Sequence, residues 1–206
     1  MKKLLFAVSA LAALSLLAPS TGFAHDYDNQ LGLYMTADAN GATGTSDVGV
    51  PVTVFLVFTR PAKEDGTAWS GITAFDCQLN FEPIGNMFKI GDALNGDGFN
   101  IGDAGHIELG YLEYIVGLSA QIETVDGACL LTTLQFINNN VGEVNVTLSP
   151  ASVPSIEGAL GFVTPDQTLQ EMFPSSGNAA DPIFTFGGNA VPVEGASFGA
   201  VKALYR

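Results

Sequence analysis

Basic residues are the scarcest feature of this chain: seven Lys and Arg stand against 21 Asp and Glu in 206 residues, a formal net charge of −14. That balance excludes the function classes that need a positive surface, binding of nucleic acid or of an anionic membrane, because phosphates must be met by Lys and Arg. Histidine and cysteine are nearly absent too, with two of each, and there is one tryptophan. Only His25 and His106 could serve as imidazole bases or ligands. His25 reads as a solvated residue near a processed terminus. His106 has no serine in a nucleophile-elbow context to activate, since Gly117-Leu118-Ser119-Ala120 lacks that spacing, so hydrolytic chemistry is not expected. A helical period sustained over three turns is also missing. Charged residues make up only 14% of the chain while 47% is hydrophobic, too apolar for a disordered acidic tail.

One long apolar run exists, and it is at the start. Lys2 and Lys3 precede Leu4 to Ala18, and a short polar stretch ends in Gly22-Phe23-Ala24. Basic start, apolar centre and small residues before the break are the three parts of a cleaved secretory signal; the run is shorter than the ~20 residues a spanning helix needs. Residues 1–24 are therefore expected to be removed, and the mature chain to act as a secreted or cell-surface protein. Without Lys2 and Lys3 the balance is five basic residues against 21 acidic ones. In an oxidising compartment the even pair Cys77 and Cys129 favours a disulfide. Cys77 shares a face with Phe75, Leu79 and Phe81, whereas Cys129 falls out of phase with Leu130, Leu134 and Phe136; a bulge or a strand-end position would repair the phase. Two free thiols are the alternative.

The pattern that recurs has period two. Leu31, Leu33 and Met35 alternate. Val50, Val52, Val54, Leu56 and Phe58 share one face of a longer strand, while Phe55 and Val57 make its other face apolar, as expected of a central strand covered on both sides. Pro51 places the start of regular pairing after itself. Ile72 to Phe81 alternates with Asp76, Gln78 and Asn80 facing outward. Shorter strands are expected at Met87–Ile90, Ile107–Val116, Leu130–Ile137 and Val141–Leu148. Asp38-Ala39-Asn40-Gly41 and Lys63-Glu64-Asp65-Gly66 read as turns, and Asn138-Asn139-Asn140 as a tight hairpin. Many short strands, glycine-rich turns and no alternating helices predict an all-β, antiparallel β-sandwich over residues 25–150. A Pro/Gly-rich extension over 151–190 follows, with short strands at Gly161–Thr164 and Ile183–Phe186, completing or wrapping the sandwich. Thr168–Phe173 stays open as a single helical turn. Residues 191–206 are a C-terminal strand or a sorting tail.

Within this frame the order of features from Gly49 to about Leu148 resembles a cohesin-type domain, a jelly-roll sandwich related to some carbohydrate-binding modules. The resemblance rests on Val50-Pro51-Val52-Thr53-Val54-Phe55-Leu56-Val57, on the glycine-led strand Gly71 to Phe81 ended by Glu82-Pro83, on Ile90-Gly91-Asp92-Ala93-Leu94 before an Asn-rich loop, and on Leu130 to Phe136. Glu82 stands where such domains often carry Asp. The resemblance implies noncatalytic recognition of an extracellular protein on one sheet face, or of a polysaccharide as in the carbohydrate-binding cousins. A structural subunit of a surface layer or filament is a third reading.

Candidate site residues follow from the residue types. Trp69 in a turn before a core strand, with Tyr111 and Tyr114, could stack on a sugar or anchor a protein; Trp69 could equally plug one end of the sandwich. Asn95-Gly96-Asp97-Gly98 resembles part of a calcium loop, yet an EF-hand register puts Ala93, Ile101 and Ala104 at ligand positions. A looser calcium site built from Asp92, Asp97 and Asp103 with backbone carbonyls is the candidate that remains, against a plain polar loop. No other cofactor is expected. The scattered carboxylates read as a solvating surface rather than as a glycosidase pair.

Overall fold

The computed structural model describes residues 28–187, apart from 46, 64, 106, 140 and 141. The leader, His25, His106 and the segment 191–206 lie outside the described residues. Twelve strands account for nearly all the regular structure: β1 (Gln30–Tyr34), β2 (Thr43–Gly44), β3 (Pro51–Thr59), β4 (Gly71–Glu82), β5 (Met87–Leu94), β6 (Gly98–Asn100), β7 (Tyr111–Glu123), β8 (Ala128–Asn138), β9 (Val144–Ser149), β10 (Leu160–Val163), β11 (Leu169–Pro174) and β12 (Phe184–Phe186). A single 3₁₀ turn, Ile107–Leu109, precedes β7, so the strand expected from Ile107 begins four residues later. No helix among the described residues is long and apolar enough to cross a membrane.

The strands form an antiparallel β-sandwich of two sheets. The first sheet runs β1–β3–β8–β5. In the second, β4 is central: β7 and then β6 lie on one side, β10 and β9 end to end on the other, with β12 and β2 beyond β9. β11 joins the two, pairing antiparallel with β10 through Leu169–Met172 and parallel with β1 through Phe173 and Pro174. Residues after Pro150 thus supply three strands, and Thr168–Phe173 is part of β11 rather than a helical turn. The Asn138–Asn140 turn does not close a hairpin: β8 belongs to the first sheet and β9 to the second, so the chain crosses the sandwich there.

Alternating inward residues meet between the layers. Phe58 on β3 lies 4.7 Å from Phe162 on β10, and Phe136 on β8 lies 5.5 Å from both Phe81 on β4 and Phe186 on β12. Full burial of a ring of this size stabilises by about 2–3 kcal/mol. β3 is central in its sheet, with Val57 buried on the outer face and Phe55 half-buried. Val50, expected on the core face, precedes the strand and is exposed, because Val50 N–H closes a turn onto the Asp47 carbonyl. Opposite Leu56 and Val57 the register of β8 shifts by one residue at Leu131. That bulge turns Cys129 and Leu131 inward along with Leu134 and Phe136, the repair the sequence phase required.

Candidate functional site

On the outer face of the second sheet, β10, β4, β7 and β6 form the floor of a groove of about 360 Å³. Its position follows from strand alternation. Phe75, Cys77 and Leu79 point into the core, so Ala74 and Asp76 point out, beside Ile115 and Gly117 of β7 and Gly161 and Val163 of β10. β6 raises one wall. Asn100 Oδ1 accepts the Gly102 and Ile115 N–H groups at 3.0 and 2.8 Å, and Asn100 Nδ2 donates to the Glu113 carbonyl, holding β6 beside β7. Phe99 and Ile101, on either side of this clamp, remain 72% and 70% exposed. The two large apolar side chains thus stand open at the groove edge.

The polar group of the groove is Asp76. Its residue is 1% exposed, against the expectation of a wet position, because the segment after β9 crosses over it. Asp76 Oδ2 accepts the Ser155 N–H at 3.1 Å, while Oδ1 is buried and has no hydrogen-bond partner. A Cβ on residue 161 would sit 2.8 Å from Oδ2, so the close approach of β10 to the carboxylate requires Gly161. Buried carboxylate oxygens are normally paired, so Oδ1 is an exception to the usual satisfaction of buried polar groups. Glu113, also buried, fixes the crossing segment: Oε1 accepts the Ser152 N–H and Oε2 the Asp103 N–H. Burial alone would raise the Glu113 carboxyl, but those donors outweigh it and hold the group below the usual carboxylate range.

The residues singled out from sequence fall elsewhere. Trp69 is half-buried against the core, its carbonyl accepts Thr124 Oγ1–H at 2.9 Å, and the Lys63 ammonium lies 4.7 Å from its ring centroid. Its Nε1 is buried without a partner. Tyr114 is 1% exposed and stacks near Phe75 at 6.4 Å, so it presents no ring to solvent. Tyr111, at the start of β7, is half-buried. These three rings form no exposed row.

Asp92, Asp97 and Asp103 do not converge, and among the described residues no group of three His, Cys, Asp or Glu could hold a metal ion. Asp92 is used internally: Oδ2 accepts Tyr114 O–H at 3.0 Å and pairs with Lys89 Nζ at 2.9 Å, and Oδ1 accepts Thr132 O–H at 2.9 Å. Asp103 Oδ1 caps its own turn through the Gly105 N–H, and Asp97 engages Ser119 through its backbone carbonyl.

The expected disulfide is likewise corrected. Cys77 and Cys129 are both free and buried. Cys129 Sγ lies 3.2 Å from Thr124 Oγ1, and Thr124 N–H bonds to Ser70, at the start of β4. Cys77 is seven residues further along that strand, roughly 23 Å at ~3.3 Å per residue, far beyond the ~7 Å Cα separation a disulfide tolerates. Burial, reinforced by the carboxylates of Asp76 and Glu113, pushes the Cys77 thiol up; burial also raises Cys129, partly offset by Thr124. Both are inert core thiols.

Sequence reasoning placed Asp76 on the outer face but missed its burial, and missed Phe99 and Ile101. The signal available for the pair was Phe99-Asn100-Ile101, two bulky residues alternating with a polar one between glycines.

The chain has no significant match among protein-family profiles or curated proteins. Solved structures similar to it include cohesin modules. One is the cohesin CaCohA2 from Clostridium acetobutylicum, 13% identical, covering 77% of this chain and 89% of that one, with a TM-score of 0.47. Another is the type I cohesin–dockerin complex Coh-OlpC–Doc435 from Clostridium thermocellum, 10% identical over 71% of this chain and 88% of that one, TM-score 0.47. A third is a non-cellulosomal cohesin from Archaeoglobus fulgidus, 9% identical over 71% and 85%, TM-score 0.46.

Proposed function

We propose that this chain is an exported, noncatalytic recognition module that takes a protein partner on the outer face of the second sheet. The observation that carries the reading is the groove itself: a buried carboxylate with one unpartnered oxygen, flanked by Phe99 and Ile101 standing open to solvent. A partner segment fits if it lays an apolar side chain against Phe99 and Ile101, the exposed residues of the groove wall. Protein interfaces concentrate their binding energy in such desolvated centres with apolar surrounds. The cohesin-type order of features in the sequence supports the same use of a sheet face. Stacking on a polysaccharide finds no support in the placement of Trp69, Tyr111 and Tyr114.

The test is a pull-down from the source organism's extracellular proteins with the mature chain immobilised, beside the Phe99→Ala/Ile101→Ala variant. Both side chains are exposed, so the variant keeps its fold. The reading expects a specific protein whose affinity drops roughly thirtyfold or more in the variant, the ~2 kcal/mol of an interface anchor. A partner retained equally by both proteins would place the binding surface elsewhere and overturn the reading.

A further inference from the structure

The outer face of the first sheet is unlike the rest of the molecule. In a chain with 21 acidic residues, the outward positions of β1, β3, β8 and β5 carry no Asp, Glu, Lys or Arg. The two charged residues of β5, Lys89 and Asp92, are turned the other way, bonded to each other and to Tyr114 of the core. At one end of this face Pro51, Ile137 and Phe88 stand in register across three strands, and Phe88 and the neighbouring Ile90 are 50% and 49% exposed. Among the described residues β5 pairs with β8 alone, so its far edge has no partner strand, although the Ala104 carbonyl and the 3₁₀ turn Ile107–Leu109 approach it. An edge strand without a partner strand and with half-exposed aliphatic and aromatic residues invites association, and monomeric sandwiches cover or charge such edges.

The chain supplies a cover at the right end. β12 leads to Gly187, whose position is tight against Gly142 and Asn138: a Cβ there would lie 3.0 Å from Asn138 Nδ2. Asn138 follows Ile137 and pairs with Met87, so the described chain ends at the rim of the uncharged face. Residues 188–206 continue from that point, long enough when extended to reach ~60 Å, against the ~26 Å length of β5. Their composition suits the surface. Phe198, Val201, Leu204 and Tyr205 are apolar or aromatic, and Lys202 and Arg206 bring two of the chain's seven basic residues. Asp47 and Glu143 are exposed at the same end of the sandwich.

We infer that the C-terminal segment 191–206 docks in cis on the uncharged outer face of the first sheet, covering Phe88 and Ile90 and closing the edge of β5. The domain then has two recognition faces of opposite fate: the groove of the second sheet faces outward to partners, and the first sheet is covered by the chain's own end. Among the described residues every core residue lies between Leu31 and Phe186, and a chain ending at Gly187 keeps all of these.

The experiment is hydrogen exchange with mass readout on the mature chain, the same chain ending at Gly187, and the full-length Phe198→Asp/Leu204→Asp variant, each sized by sedimentation. The expected result is a monomer in all three, with peptides spanning Met87–Leu94 exchanging roughly tenfold faster in both altered proteins than in the intact chain while β4 is unchanged. A synthetic 188–206 peptide added to the shortened chain restores the protection. Should the shortened chain prove unfolded, the double variant reports alone. Unchanged exchange of β5 in the altered proteins overturns the inference. A full-length dimer that becomes monomeric on shortening, or a dimer in all three forms, overturns it too, by seating another copy on this face.

Discussion

Replacing Asp92 with alanine isolates a polar tie that runs through the sandwich from the edge of the first sheet to the second. Three donors reach its carboxylate: Lys89 Nζ and Thr132 Oγ1 at 2.9 Å and Tyr114 O–H at 3.0 Å. The donors differ in what they lose. Thr132 keeps the Ala93 carbonyl at 3.0 Å, and Lys89 keeps the Ala104 carbonyl. Tyr114, 1% exposed, is left with a buried hydroxyl and no partner. An orphaned buried hydroxyl costs about 1–3 kcal/mol, so the substitution destabilises by about that amount, or roughly 2–12 °C at about 2–4 °C per kcal/mol for a chain of this size. Tyr114→Phe then serves as the partner in a double-mutant cycle. If the orphaned hydroxyl is the cause, adding Tyr114→Phe to Asp92→Ala costs nothing further or recovers stability, giving a coupling of about 1–2 kcal/mol. Urea unfolding of the mature chain reads the midpoints, with an unchanged slope confirming that the native state stays compact. Additive losses, with coupling within the ~0.3–0.5 kcal/mol of independent sites, would refute the reasoning. Calcium added to the wild type should not raise the midpoint, because both Asp92 oxygens are already engaged.

Ellman titration of the native protein should find no reactive thiol, and after denaturation two per chain; a mass that rises on reduction and alkylation only when reductant is present would restore the disulfide. Glu113→Gln tests a pH dependence. The Glu113 carboxyl is depressed in the folded state, so its contribution is present above the ordinary value of ~4.3 and is lost as pH falls through the folded value. Wild-type stability should therefore fall more steeply than that of Glu113→Gln below about pH 4.5; parallel curves would contradict the assignment. Gly71→Ala should destabilise by about 3 kcal/mol, since a Cβ there overlaps the backbone carbonyl of Ile122, which cannot move without opening the β4–β7 pairing. A loss within 0.5 kcal/mol in chemical denaturation would show that β7 yields freely.

Period-two alternation is a local property, and it was enough to define the class and most of the strands. Leu31 with Leu33, Val52 to Phe58, and Phe75 to Phe81 each bury the face their spacing implies, because a strand's inward residues are set by its own pleat. Where alternation breaks, local reading fails. Cys129 is out of phase until the Leu131 bulge is known, and a bulge depends on which partner strand the residue meets. Thr168 to Phe173 has no decisive period by itself and becomes a strand because β10 and β1 stand on either side. The candidate site depended still more on distant chain. Asp76 sits at an outward position, yet Ser155 and Gly161, some 80 residues later, turn it from a wet carboxylate into a buried one with an unpartnered oxygen. Tyr114 is the converse, a ring chosen for its chemistry and then enclosed between the sheets. By itself the sequence determined composition, charge and the inward face of each strand. Only the tertiary structure decided which outward faces stay open, because a pleat dictates the direction of a side chain while its exposure depends on whatever segment crosses above it.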